Sequence, residues 1–186
     1  MKQKVILSVP ADFSYLQTVE NFADLLFKHF GVKFKDEKLE QNLRSTVNEA
    51  FVNVLQHTPL PQGEWVNIIF ELSEGDFVLR FPDQGKGIPV QEHYPPYPSH
   101  LVGSKHLILK TLDGYLYGMV ESPTRLKLEF KNRSGIKNFD ELLQDVSEGG
   151  MGLSIIVKTM DEVRFVWDEA HGNVLEIKKA LRRADE

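Results

Sequence analysis

The sequence predicts a two-layer α/β (α+β) sandwich, a mostly antiparallel sheet with helices on one face. Three observations predict it. An opening strand is followed by two segments of helical period, strand-like segments come in pairs joined by short turns, and a glycine pair late in the chain feeds an apolar helix.

The elements follow in order. Val5 to Val9, ahead of Pro10, reads as a short strand. Leu16, Val19, Phe22, Ala23, Leu26, Phe27 and Phe30 recur at spacings of three and four, and Gly31 closes that helix. A second helix starts near Asp36 with Leu39, Leu43, Val47, Ala50, Phe51 and Val54 on its apolar face, and Pro59 and Pro61 stop it soon after His57. Trp65 to Leu72 and Phe77 to Phe81 flank the turn Ser73 to Asp76, which predicts a hairpin running into the loop Pro82 to Pro89. Residues 91 to 146 interrupt this order as an irregular insertion in a chain read as a single domain over 1–186. Within it, a short helix is expected at Leu107 to Leu112, a strand at Arg125 to Phe130 and a helical turn at Phe139 to Val146. Gly149-Gly150 then opens a helix carrying Leu153, Ile156, Val157, Met160 and Val163. A final hairpin pairs Arg164–Trp167 with Val174–Lys178 around a turn at His171 to Asn173.

Bulk properties narrow the function. The chain has 186 residues, 41% of them hydrophobic, enough for one core. The net charge of −5, without a basic stripe, argues against nucleic acid as a partner. With no cysteine there is neither a disulfide nor a thiolate site. No apolar run reaches the ~20 residues of a membrane span, and the N-terminal run is too short for a signal peptide, so a cytoplasmic protein is expected.

Three segments carry candidate chemistry. Glu49, Asn53 and His57 are spaced four apart on the second helix and form a polar stripe beside its apolar face. A carboxylate and an amide oxygen there suit a hard cation such as magnesium, or a held water. Asp83-Gln84-Gly85-Lys86-Gly87 follows a strand; its glycines let backbone approach a ligand, and Asp83 offers an acceptor to an exocyclic amine. Gly149-Gly150-Met151-Gly152-Leu153 opens a helix whose free N–H groups and positive dipole end suit phosphate. Each segment alone is a weak signal. His93, His100 and His106 of the insertion fit no standard metal-ligand spacing.

Taken in order, Glu-x-x-x-Asn on a helix, Asp-x-Gly-x-Gly after a strand and Gly-x-Gly before a helix resemble the Bergerat-fold ATPases, the group of gyrase, chaperone, histidine-kinase and mismatch-repair ATPases. Within that group, Asn48 to His57, and Gly149 to Ile156 with Met160-Asp-Glu-Val163, resemble the serine/threonine protein kinases that act as anti-sigma factors. The resemblance covers residues 1 to 90 and 147 to 180. It implies ATP with Mg2+ as the ligand, Glu49 as general base on a seryl or threonyl hydroxyl, and Asn53 as the magnesium holder. Asp83 would accept from the adenine amino group, Gly85 and Gly87 would let the backbone pass the nucleotide, and Gly150 and Gly152 would contact phosphate, with His57, Leu153 and Asn173 completing the binding set. It also implies an anti-anti-sigma factor as substrate and a sigma factor as the protein held inactive; such kinases often form homodimers. Two features depart from the family. Asn173 follows Gly172 where a threonine is usual, and the segment closing over ATP is enlarged. The alternative reading is an ATP-binding regulator, weak or inactive in catalysis, that captures a partner through the inserted segment.

Overall fold

The computed structural model describes residues 3–29, 37–58, 63–73, 75–133, 151–169 and 172–180. Strand alternation and helical period resolve into eight strands and three helices among them. In chain order these are β1 (Gln3–Pro10), α1 (Leu16–His29), α2 (Glu37–His57), β2 (Trp65–Leu72), β3 (Asp76–Asp83), β4 (Lys105–Lys110), β5 (Gly114–Ser122), β6 (Arg125–Asn132), α3 (Met151–Thr159), β7 (Glu162–Asp168) and β8 (Gly172–Ala180). All eight strands join one antiparallel sheet in the order β1-β2-β3-β8-β7-β6-β5-β4.

One face of the sheet is apolar because every second residue is. Val66, Ile68 and Phe70 of β2, Phe77, Leu79 and Phe81 of β3, and Leu175 and Ile177 of β8 are buried. They form one core with Val19, Ala23 and Phe27 of α1, with Leu43, Val47, Ala50, Phe51 and Val54 of α2, and with Ile156 of α3. Phe27 meets Phe77 edge to face at 5.1 Å. The opposite face carries charge: Arg80 lies between Glu71 at 2.6 Å and Glu176 at 2.7 Å.

The two-layer antiparallel architecture is the predicted one, and three elements differ in detail. Residues 107–112, expected as a short helix, belong mostly to β4, where a bulge between Leu107 and Leu109 breaks the strict alternation. The unpredicted β5 pairs on one side with β4 and on the other with β6, so the described part of the insertion is a three-strand meander that lengthens the sheet. The helix after the glycine pair ends at Thr159, and Val163 lies in β7. The expected turn at Phe139 to Val146, and Gly31, Pro59, Pro61, Gly149, Gly150 and His171, lie outside the described residues. No helix of the described residues is long and apolar enough to cross a membrane.

The meander is fastened to the rest of the molecule. Lys158 of α3 reaches Asp113, in the β4–β5 turn, at 2.5 Å, and its ammonium lies 4.5 Å from the centre of the Phe130 ring on β6. Thr111 donates to Asp113 in turn at 3.0 Å. The sheet curls enough that Ile108 and Leu109 of β4, at one edge, line the same cavity as Asp83 of β3.

Candidate functional site

Three remote segments build the site. The α2 face supplies Glu49, Asn53 and His57, four residues apart, so that they project from successive turns. Strand β3 runs through Pro82 to Asp83, which places Asp83 on the sheet, opposite Asn173 of β8. Gly85 to Gly87 then leave the strand as a loop. Helix α3 brings Gly152 and Leu153 in its first turn.

Asn53, His57, Asp83, Gly85, Gly87 and Leu153 all line one cavity of about 340 Å3. That volume lies in the range of small-molecule sites, roughly 300–1,000 Å3. Its apolar wall includes Val54, Ile88, Phe165 and Leu175. Glu49, Gly152 and Asn173 are not among its lining residues.

Glu49 and Gly152 meet directly. A Cβ at position 152 would fall on Glu49 Oε2 and lie 3.1 Å from its Cδ. Glycine at 152 is therefore what lets the carboxylate of the first motif sit against the third. Asn53 is half-buried, and its Nδ2, inaccessible to solvent, makes no hydrogen bond. An unpartnered buried amide is costly and is relieved by a polar ligand in the cavity.

Asp83 is held for recognition. One carboxylate oxygen accepts from the Gly85 N–H at 2.6 Å; its other oxygen takes no hydrogen bond from the described residues. Burial raises its pKa, and the Gly85 hydrogen bond opposes the rise. The charged form thus gains from a donor arriving on the free oxygen.

The loop is clamped from three sides. Asn173 is 1% exposed; its Nδ2 donates to the Gly85 carbonyl, and its Oδ1, also buried and unpaired, crowds Gly87. A Cβ at Gly87 would lie 2.6 Å from that oxygen and 3.0 Å from Pro95, and its φ of +79° is a conformation glycine adopts freely. Tyr97 reaches back from the insertion and donates its hydroxyl to the Ile88 carbonyl at 2.7 Å. Burial pushes the Tyr97 hydroxyl up to about 12, so it remains a donor at neutral pH.

Of the ten residues singled out from sequence, six line the cavity, and Glu49 and Gly152 adjoin each other beside it. Asn173 spends its amide on the loop backbone, and Gly150 lies outside the described residues. Sequence reasoning missed Tyr97, Ile108 and Leu109. Their one visible signal was hydrophobicity within a segment that carried no motif. No group of three or more His, Asp or Glu side chains able to hold a metal occurs among the described residues, so a cation here would lean on Asn53 and on oxygens of the ligand itself.

A family model described as a histidine kinase-like ATPase domain matches residues 9–179, a span that includes the meander. No curated protein matches the chain.

Proposed function

The chain belongs to the histidine kinase-like ATPase domain family, which implies ATP as its ligand, typically with Mg2+, and from that premise we propose that it is a protein serine/threonine kinase acting as an anti-sigma regulatory factor. The observation that carries this reading is convergence. Asn53 and Asp83 open on one cavity, and Gly152 of a third segment adjoins Glu49, a carboxylate on the same helix face as Asn53.

Each residue has a stated part. Asp83 receives the adenine amino group on its free oxygen. The Gly85–Ile88 backbone, held by Asn173 at Gly85 and by Tyr97 at Ile88, would let the base approach closely. Gly152, in the first turn of α3, and by resemblance Gly150 would take the phosphates with free N–H groups and the helix dipole. Asn53 holds magnesium, which when bound neutralises phosphate charge. Glu49, whose carboxylate lies against Gly152, accepts the proton of the attacking hydroxyl while the γ-phosphoryl group passes to that oxygen and ADP leaves. Preorganisation supplies most of the rate, which suits a base on a packed helix. By resemblance, the acceptor is a serine of an anti-anti-sigma partner, and the regulated protein is a sigma factor. A cytoplasmic location and a homodimer accompany this reading.

The test has two stages. Calorimetry with Mg2+ and a nonhydrolysable ATP analogue is expected to show stoichiometric binding; no binding rejects the reading outright. Glu49→Gln is then expected to keep the analogue's affinity within about threefold and to lower phosphoryl transfer to a small acceptor protein by about 100- to 10,000-fold. Transfer at the wild-type rate in that variant removes Glu49 as the base. Binding with no transfer by the wild type leaves the partner-capturing regulator as the better description.

A further inference from the structure

We propose that Ile108 and Leu109 of β4 form the apolar wall against which the purine ring lies, so that base affinity rests on two residues outside the three motifs. The proposal depends on the ATP reading above and adds to it the group that grips the base.

Geometry carries the argument. The register places Leu107 opposite Tyr117 and Leu109 opposite Leu116, so Ile108 is the extra residue of a bulge. A regular strand would turn two consecutive side chains to opposite faces. Here Ile108 and Leu109 both line the cavity. Bulges re-aim side chains in this way and are over-represented beside active sites.

A second feature seats the wall. Gly118 of β5 faces Ile108, and a Cβ there would lie 3.1 Å from Ile108 Cδ1 and 2.9 Å from Leu126 Cδ1. The glycine lets Ile108 lie close on the neighbouring strand, which backs it. Lys158 and Asp113 fasten the far end of the hairpin to α3 at 2.5 Å, which fixes how far β4 stands from Leu153 across the cavity.

The cavity has polar and apolar lining. Asn53 of α2 and Asp83 of β3 are among its polar residues. Ile108 and Leu109 join Val54, Ile88, Phe165 and Leu175 as apolar lining. An aromatic ring held at one edge by Asp83 needs apolar surface on its faces, because burying those faces supplies the affinity that a single hydrogen bond does not.

The experiment separates this proposal from the reading it rests on. The Ile108→Ala/Leu109→Ala double variant is compared with wild type by calorimetry, against a nonhydrolysable ATP analogue and against inorganic triphosphate, both with Mg2+. The expected result is a loss of ~10-fold or more for the analogue, with triphosphate affinity unchanged. Unchanged affinity for the analogue, or equal losses for both ligands, overturns the wall. Failure of wild type to bind the analogue overturns the ATP reading instead. As a measurement independent of the variant's stability, wild type is also photolabelled with 2-azido- and 8-azido-ATP and mapped by mass spectrometry. Label on the peptide spanning Lys105–Lys110 is expected; label confined to the peptides of β3 and α3 overturns the proposal.

Discussion

The half of the molecule that carries the motifs and the half that carries the meander are built on opposite plans. In the first, α2, β3, β8 and α3 hold polar residues whose identity is dictated by contact: glycine at 152 because Glu49 lies there, and glycine at 87 because Asn173 and Pro95 do. In the second, β4 to β6 contribute alternation, a bulge and a few fastenings, and no polar residue of the predicted set. Yet the inserted segment lines the cavity with Ile108 and Leu109 of the meander and, from ahead of the meander, clamps the loop with Tyr97. Recognition chemistry needs particular residue types, whereas enclosure needs only apolar surface at the right distance. A motif scan therefore finds the first half and passes over the second.

The comparison is broken most sharply at Gly152. The Gly152→Ala variant puts a methyl group on the Glu49 carboxylate, which as a flexible side-chain end swings away at little cost in stability. Transfer is expected to fall by about 100-fold, since a displacement near 1 Å has that effect on a positioned group. Thermal unfolding should move by only a few degrees. A rate within threefold of wild type would show that the contact does not position the base.

Asn173→Ala tests the clamp from the motif side. It removes the donor to the half-buried Gly85 carbonyl, at about 1 kcal/mol or somewhat more. Urea unfolding should give a lower midpoint with an unchanged slope, and nucleotide affinity should fall with it. Loss of affinity with no loss of stability would instead assign Asn173 to direct contact with the ligand.

Tyr97→Phe tests the same loop from the meander side and is the mildest change. One hydroxyl donated to the Ile88 carbonyl is lost, worth about 1 kcal/mol. In a chain of this size that is roughly 2–4 °C in Tm. A larger shift, or a change in nucleotide affinity beyond about fivefold, would make the meander a stronger determinant of the loop than the motif side.

Legibility in the sequence follows the same division. The β2–β3 hairpin was readable because β-branched and aromatic residues alternate around a turn, and α2 because its apolar period and its polar stripe agree. Strand β4 was not, since the bulge gives Leu107-Ile108-Leu109 an unbroken apolar run that fits a helix as well as a strand. Strand β5 was hidden by Gly114 and Gly118, residues that weaken strand propensity; a Cβ at Gly114 would strike the Phe130 ring of β6, and one at Gly118 would crowd Ile108. The end of α3 was misplaced because Val163 continues the helical spacing from Met160 although the chain has already turned into β7. In each case the decisive fact was a neighbour far along the chain, which local pattern does not contain. Asn53 and Asp83 could be placed in one site from motif order alone, but the role of Asn173 as a strut on Gly85 needed the register of β3 and β8.

That register also sets when the site can exist. Gly85 and the Asn173 that braces it are 88 positions apart, and Thr46 meets Thr159 across 113. On a ribosome, Glu49, Asn53 and Asp83 emerge well before the strand and helix that complete their surroundings. A fragment that stops short of β8 lacks Asn173 and leaves one edge of β3 unpaired. Assembly of the cavity walls therefore waits on contacts of high sequence separation, the slow kind to form.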